Sequence, residues 1–267
     1  KEAGFTSHDV VAKLRGILKQ KKIGHTGTLD PEAVGVLPVC LGKGTKVCDL
    51  LTDKDKVYET VMCLGVVTDT QDMTGEVLER HEVNVTREQL EAVLDQFRGE
   101  YDQIPPMYSA LKVQGKKLYE LAREGKVVER KARRIQILGL DLLKIEDDGI
   151  HVHMRVHCSK GTYIRTLCHD IGEKLGCGAA MEKLTRTQVG VFEIQDALTL
   201  SQVEALVQAG EENQVIRSID SMFQMWSSAK TDATFDRMLY NGNVLYKENV
   251  FIEGGLKPEN GSKYRIY

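Results

Sequence analysis

Apolar and polar positions follow two rhythms along the chain. In "FTSHDVVAKLRGILKQ", Val10, Val11, Leu14, Ile17 and Leu18 share one face at helical spacing, and Thr6 or Ser7 stands ready to cap the first turn. "TREQLEAVLDQFRG" repeats the pattern with Leu90, Val93, Leu94 and Phe97; it opens on a Thr86/Gln89 capping box and stops at Gly99. "TYIRTLCHDIGEKLG" predicts a helix with Ile164, Leu167, Cys168, Ile171 and Leu175 inward and Gly176 at its C-terminal cap. A short helix around Leu118, Leu121 and Ala122 ends at Gly125, and "LSQVEALVQAG" gives the last clear helix, stopped by Gly210.

The second rhythm has a period of two. "KVYETVMCLGVVTDT" alternates and is rich in β-branched residues, with "GEVLER" returning beside it. "RRIQILGLDLLKIEDDGIHVHMRVHCSKG" reads as a hairpin of two long strands turning at 147–149, and "QVGVFEI" as a further short strand. Strands and helices mix without a regular βαβ alternation. The fold class is therefore α+β, with a mixed, mostly antiparallel central sheet flanked by helices and loops. Composition shifts after about Ile219, which predicts a main domain over 1–222. A small β-rich module over 223–267 would be built from "NVLYKENVFIEGG" and "SKYRIY". No internal repeat or low-complexity stretch is present.

Hydrophobic residues make up 42% of the 267, which fits a packed core and argues against disorder. No apolar run approaches the ~20 residues of a membrane span, and the N-terminus has no signal-peptide pattern. Six cysteines without a CxxC read as reduced, mostly buried thiols of a cytoplasmic protein.

The net charge of −3 hides a segregation. "VAKLRGILKQKK" carries five basic residues and no acid, and residues 112–134 carry nine basic residues against three glutamates. Residues 193–220 hold six acids against Arg217. Such separation suits one phosphate-binding face and an acidic back; solvated helix faces explain it about as well.

Three motif-like stretches fail. "LGKGTK" has six residues, not four, between Gly35 and Gly42, and Lys43 precedes Gly44, so it is no phosphate loop. "TDTQDMTGE" places its acids at Asp69, Asp72 and Glu76, which fits a surface turn better than a calcium loop. His151, His153 and His157 share a strand face that could bind zinc, but Ile150, Val152, Met154 and Val156 already explain an ordinary half-buried strand.

"GHTGTLDP" concentrates turn-forming residues around Asp30. Gly24 and Gly27 let a backbone approach a ligand closely, Pro31 fixes the chain after the aspartate, and His25 offers a flat ring for stacking. Apolar Ala33, Val34, Val36 and Leu37 follow, placing the carboxylate at the edge of a partly dry site. A desolvated carboxylate needs a cation, for which Arg165 in "SKGTYIRTL" is the candidate. An aspartate that merely caps the next turn accounts for the pattern with similar weight.

Five blocks, in order, carry a resemblance: "GHTGTLDPEAVGVLPVCLGKGTK", "KVYETVMCLGVVTDTQDMTGEV", "QIPPMYSALKVQGKKLYELAREG", "CSKGTYIRTLCHDIGEKLGCGA" and "LTRTQVG". Together they resemble the bacterial TruB family of tRNA pseudouridine-55 synthases over most of residues 4–190. The resemblance implies a pseudouridine-synthase fold, a partial PUA-like RNA-binding module at 223–267, and isomerisation of a uridine in the tRNA T-loop. The glycosidic bond is broken, the uracil turned, and a C–C bond made to the same ribose. It implies no metal and no organic cofactor, tRNA bound through its T-arm as the partner, no membrane and no obligatory protein partner. Nothing in the sequence demands more than a monomer.

Position by position, the resemblance makes Asp30 the essential nucleophile, Tyr58 the tyrosine packed on the target base and a candidate general base, and Arg165 the aspartate's partner. His25, Tyr163 and Leu184 match substrate-contacting positions, and Lys46 and Arg186 positive positions near the site. Whether Asp30 attacks the ribose C1′, attacks the base C6 or assists through a glycal is left open by sequence.

Family members usually begin with a short strand and a lysine ahead of "GFTSHDV". Absence of that stretch, or of part of the PUA-like module, would be expected to weaken tRNA binding or stability. Two other readings stand beside catalysis on tRNA. One is an RNA-binding protein or tRNA-folding chaperone without chemistry, for which Asp30 would be superfluous. The other is an aspartate-dependent glycosidase or nucleosidase, which lacks an evident second acid.

Overall fold

The computed structural model describes residues 1–113 and 115–267, with the backbone alone at Glu253; Gln114, within the third quoted block, lies outside the described residues. The chain forms two compact units, Lys1–Val207 and Gln208–Tyr267, so the division falls earlier than the 222/223 boundary that composition suggests.

The first unit is organised on a sheet of seven strands among the described residues: β1 (Val34–Gly35), β2 (Lys56–Leu64), β3 (Gly99–Gln103), β4 (Arg133–Ile145), β5 (His151–Cys158), β6 (Ala179–Val189) and β7 (Phe192–Glu193). Their order is β7-β6-β2-β5-β4-β3, with β1 added alongside β6. Every pairing is antiparallel except β1–β6, which makes the sheet mixed and mostly antiparallel, as expected. The β4–β5 hairpin and the return of 77–80 on 66–68 also follow the sequence reading. Strand β6 was not legible beyond its end: "AAMEKLTRTQV" has no clean alternation, because its pairing with β2 is interrupted by register shifts at 181/183 and 186/188.

Three helices in the first unit matter for the site: α1 (Ser7–Ile17), α2 (Arg87–Phe97) and α3 (Ile164–Leu175). Capping boxes open α1 (Thr6/Asp9) and α2 (Thr86/Gln89), and Gly176, in the left-handed region at φ 77°, closes α3. The main core includes Met62 of β2, Leu140 of β4, Val152, Met154 and Val156 of β5, Leu90 and Leu94 of α2, and Leu167 and Ile171 of α3. A second cluster joins Val10, Val11 and Leu14 of α1 to Ile23, with Leu200 and Val203 packed against it.

Each of the three strand histidines meets a carboxylate: His151 with Asp148 (2.5 Å) and Glu182 (3.3 Å), His153 with Glu146 (2.7 Å) and His157 with Asp55. The six cysteines are all free. No helix among the described residues is long and apolar enough to cross a membrane.

Gly35 shows what holds β1 in place. It lies at φ 117°, and a Cβ there would fall on the carbonyl oxygen of Arg186 and 2.7 Å from its backbone nitrogen. Overlap with backbone has no cheap relief. Gly35→Ala is expected to destabilise the unit by about 3 kcal/mol or more, a fall in Tm of about 6–12 °C. Thermal unfolding followed by circular dichroism measures it; an unchanged Tm would contradict this account of β1.

The second unit carries a three-stranded sheet in the order Val250–Ile252, Ser227–Thr231, Tyr264–Ile266, over buried Met222, Phe223, Ala229 and Val250. Phe223 and Trp226 stack at 4.8 Å, and Arg265 ties Asp220 (3.0 Å) to the carbonyl of Trp226 (2.9 Å).

Candidate active site

Residues 26–33 form no helix or strand, yet this segment is tied down at both sides of Asp30. The Leu29 N–H donates to Ser7 Oγ at 2.9 Å, and Ser7 at the start of α1 is itself buried. Lys1 Nζ donates to the carbonyls of Pro31 (2.8 Å) and Ala33 (2.6 Å), and the Gly4 N–H to Pro31. From below, Arg186 of β6 gives its guanidinium to the carbonyls of Val36 (2.7 Å), Gly27 (3.3 Å) and Thr28 (3.4 Å). It is 1% exposed. The structure thus places Arg186 as a staple under the Asp30 segment, with its charge turned away from solvent.

Asp30 and Arg165 meet in a two-pronged pair: Nε to Oδ2 at 3.0 Å and Nη2 to Oδ1 at 3.3 Å. Arg165 sits in the first turn of α3, its side chain only 6% exposed, whereas Asp30 keeps 38% of its side chain open. Arg165 also donates to the carbonyls of Thr70 (3.0 Å) and Tyr108 (2.8 Å), and its Nη1 lies 3.5 Å from Asp72 Oδ2.

Asp72 went unnoticed in the sequence, where its stretch reads as a surface turn. It is a turn, but one folded inward. Asp72 Oδ1 accepts from the Thr70 hydroxyl (2.8 Å) and the Thr74 N–H (3.0 Å), and its backbone bridges to Met181. The other carboxylate oxygen is left for Arg165. Separation along the chain gives no hint of this.

Burial pushes the Asp30 carboxyl above the ordinary carboxylate range; Arg165 opposes this, the Asp72 charge adds to it, and Lys1 opposes it weakly. Two opposite pH effects follow. Chemistry that needs the carboxylate should fail on the acid side at a pH above the usual carboxylate range. Stability runs the other way, because the folded form binds the proton more tightly than the unfolded chain. The Asp30 contribution is fully present below its unfolded value and is lost as pH rises through the folded one. A kcat/KM profile, with urea midpoints of the native chain and Asp30→Asn across the same pH range, checks both signs. An acid limb at or below the ordinary aspartate range would refute the burial argument.

Tyr58 lies on β2 opposite Val156 and Arg186, in the same core cluster as Leu29, Ala33, Ile164 and Leu184. Burial pushes its phenol up to about 12, so it holds its proton through the neutral range. The Asp30 charge adds to burial in raising the pKa of both the Tyr58 and the Tyr163 phenols. Leu184 is buried on β6 opposite Thr60.

His25, half-buried, pairs with Val39 in a small two-stranded ribbon. Burial and the Arg186 charge lower its pKa, and the Gly27 N–H donates to Nδ1 at 3.4 Å, favouring a neutral ring. Lys46 is exposed on the turn Gly42–Val47 that leaves this ribbon. The core cluster that holds Tyr58 and Leu184 also takes in Leu29, Ala33 and Ile164, the neighbours in sequence of the Asp30–Arg165 pair and of Tyr163, while His25 and Lys46 lie on the ribbon and the turn that follows it.

Comparison with known proteins agrees with this architecture. Residues 15–164 match the N-terminal domain of the TruB family pseudouridylate synthases, and residues 165–224 match the tRNA pseudouridylate synthase B C-terminal domain. The tRNA pseudouridine synthase B of Lachnoclostridium phytofermentans is 55% identical over 273 residues, covering all of this chain and 89% of the relative. That of Stutzerimonas stutzeri is 52% identical, covering 85% of this chain and 74% of the relative. Among solved structures, a chain of a Cbf5-Nop10-Gar1 complex superposes with a TM-score of 0.75 at 29% identity, over 100% of this chain and 72% of that one. One of an H/ACA RNP bound to a substrate RNA containing 2′-deoxyuridine gives 0.73 at 27%, with the same coverages. The fold is that of a pseudouridine synthase. Within that class, the chain belongs to the TruB family of pseudouridylate synthases.

Proposed function

We propose that this chain isomerises uridine 55 in the T-loop of tRNA to pseudouridine, with Asp30 as the essential carboxylate. The carrying observation is Asp30 held in two-pronged contact by a buried arginine while a third of its side chain stays open. An isolated surface aspartate would need no such partner, and a protein that only bound RNA would gain nothing from keeping one partly dry.

The reaction is balanced within one nucleotide. The N1–C1′ bond breaks, the uracil turns, C5 bonds to C1′, the proton on C5 leaves, and N1 takes up a proton. The target must first leave the folded loop, and Tyr58, Tyr163 and His25 supply rings against which bases can stack. Arg165 favours the ionised form of Asp30 against the burial that raises its pKa, and the Tyr58 phenol keeps its proton. The basic stretches at 13–22 and 112–134, with Lys46, supply phosphate contacts and hence salt-dependent affinity.

We read the three-stranded unit after Gln208 as a partial PUA-like module that helps hold the RNA; its exposed Lys257 and Lys263 support this. The enzyme is read as acting as a monomer in the cytoplasm, a reading supported by six free thiols.

Tritium release from [5-³H]uridine-labelled, unmodified tRNA tests the reading. Close to one equivalent should be released per tRNA, and a transcript with cytidine at position 55 should release none. Equal release from both transcripts would remove the assignment to position 55; no release from either would remove the activity.

A further inference from the structure

Gln103 closes β3 and then disappears from solvent, at 1% exposure. A buried carboxamide with both ends engaged needs a reason. Its Oε1 accepts the Tyr163 N–H at 2.8 Å, while its Nε2 donates to the Tyr163 carbonyl at 3.1 Å and to the Tyr101 hydroxyl at 2.6 Å. Both backbone groups of Tyr163 are therefore held by one side chain from a different strand.

Tyr163 is the N-cap of α3, and its own side chain caps nothing. The Gln103 carbonyl takes an N–H that the helix leaves unpaired at this end. Two residues further on comes Arg165. The segment leaving Gln103 in the other direction runs through Pro105 and Pro106 to Tyr108, whose carbonyl receives Arg165 Nη2 at 2.8 Å. One amide thus fixes the start of the helix that carries Arg165 and the root of the segment that receives it.

We propose that Gln103 is a positioning residue for the reaction: it holds Tyr163 and the first turn of α3 so that the Tyr163 ring and the Arg165 guanidinium stand in register with Asp30. The proposal rests on the isomerase reading above. Gln103 touches neither substrate nor the reacting atoms, and it acts only through Tyr163 and Arg165. No other uncharged side chain of this length carries an acceptor and a donor on one flat head. The charged groups around this cluster include Asp102 beside it in the chain, Arg133, its partner across β3–β4, which with Arg165 and Asp30 acts on Tyr163, and Asp170, which acts on Tyr101.

Two variants test it. Gln103→Met keeps the length and removes the hydrogen bonds; kcat for tritium release should fall on the order of 100-fold, the scale of a misplacement of about 1 Å. KM for tRNA should stay within about twofold, since phosphate contacts elsewhere dominate binding.

Gln103→Glu separates positioning from packing. A protonated carboxyl restores the acceptor for the Tyr163 N–H and one donor for the Tyr163 carbonyl, though not the amide's second donor to Tyr101, whereas the ionised form turns an acceptor towards the Tyr163 carbonyl. The kcat ratio of Gln103→Glu to the native chain should therefore rise by at least about tenfold as pH falls from 8 to 6; taking the ratio cancels the native titration of Asp30.

Folded fraction is followed by near-UV circular dichroism in each sample. A kcat ratio flat with pH, or Gln103→Met with native kcat per folded molecule, would overturn the proposal. A native chain that releases no tritium would instead overturn the isomerase reading itself.

Discussion

Replacing Asp30 by asparagine is expected to lower tritium release by more than about 1,000-fold while leaving tRNA affinity within about threefold. Asparagine has nearly the same shape, so the segment from Gly27 to Val36 keeps its anchors on Ser7, Lys1 and Arg186. Arg165 keeps three of its four partners: Asp72 and the carbonyls of Thr70 and Tyr108. What disappears is the negative charge and the nucleophilic oxygen. Because burial already penalises that charge, its removal should change stability by no more than about 1 kcal/mol. Lost release with kept binding and a near-native urea midpoint is the expected combination. Retained release would remove Asp30 from the chemistry.

Arg165→Met should fail in two ways at once. The side chain is nearly buried and, among the described residues, is the only group that touches Asp30, Asp72, Thr70 and Tyr108 together. Without it, two carboxylates face each other with no cation between them, and two carbonyls lose a donor. Breaking a buried ion pair by removing one partner costs about 3–5 kcal/mol, and the partial exposure of Asp30 reduces this to about 2–3 kcal/mol here. Activity should fall at least about 100-fold, and the residual acid limb should move to higher pH, since the counter-charge that lowers the Asp30 pKa is gone. Arg165→Lys should recover part of the charge effect, though one ammonium cannot reach four groups spread over a planar fork. Urea midpoints and pH-rate profiles of both variants measure this. An unshifted acid limb in Arg165→Met would show that Asp30 does not depend on its arginine.

The elements legible in the sequence were those whose pattern repeats within the element. Helices α1 and α2 announce themselves by caps and one apolar face, and the β4–β5 hairpin by alternation around a tight turn. Strand β6 was read only at its end, because two register shifts break its alternation and the polar Arg186 is buried where an apolar residue would be looked for.

The candidate site divides along the same line. The Asp30–Arg165 pairing could be anticipated, because a loop aspartate among apolar residues needs a cation. Asp72, Gln103 and the buried course of Arg186 could not. Each contributes through a partner far along the chain, at a distance that only the fold sets. Lys1, too, became informative only when its ammonium was found on the carbonyls flanking Asp30.

The anchors of the Asp30 segment have a consequence for how the protein comes into being. Asp30 lies 135 residues before Arg165, and Val36 lies 150 residues before Arg186. During synthesis the aspartate leaves the ribosome early, on a stretch with no secondary structure of its own, and of its anchors only Lys1, Gly4 and Ser7 have yet been made. Its arginine arrives much later, and the staple beneath it later still. Contacts of such span form last and slowly. A nascent or truncated chain lacking β6 therefore carries the aspartate and its arginine without the staple that fixes the carbonyls of Gly27, Thr28 and Val36 around them.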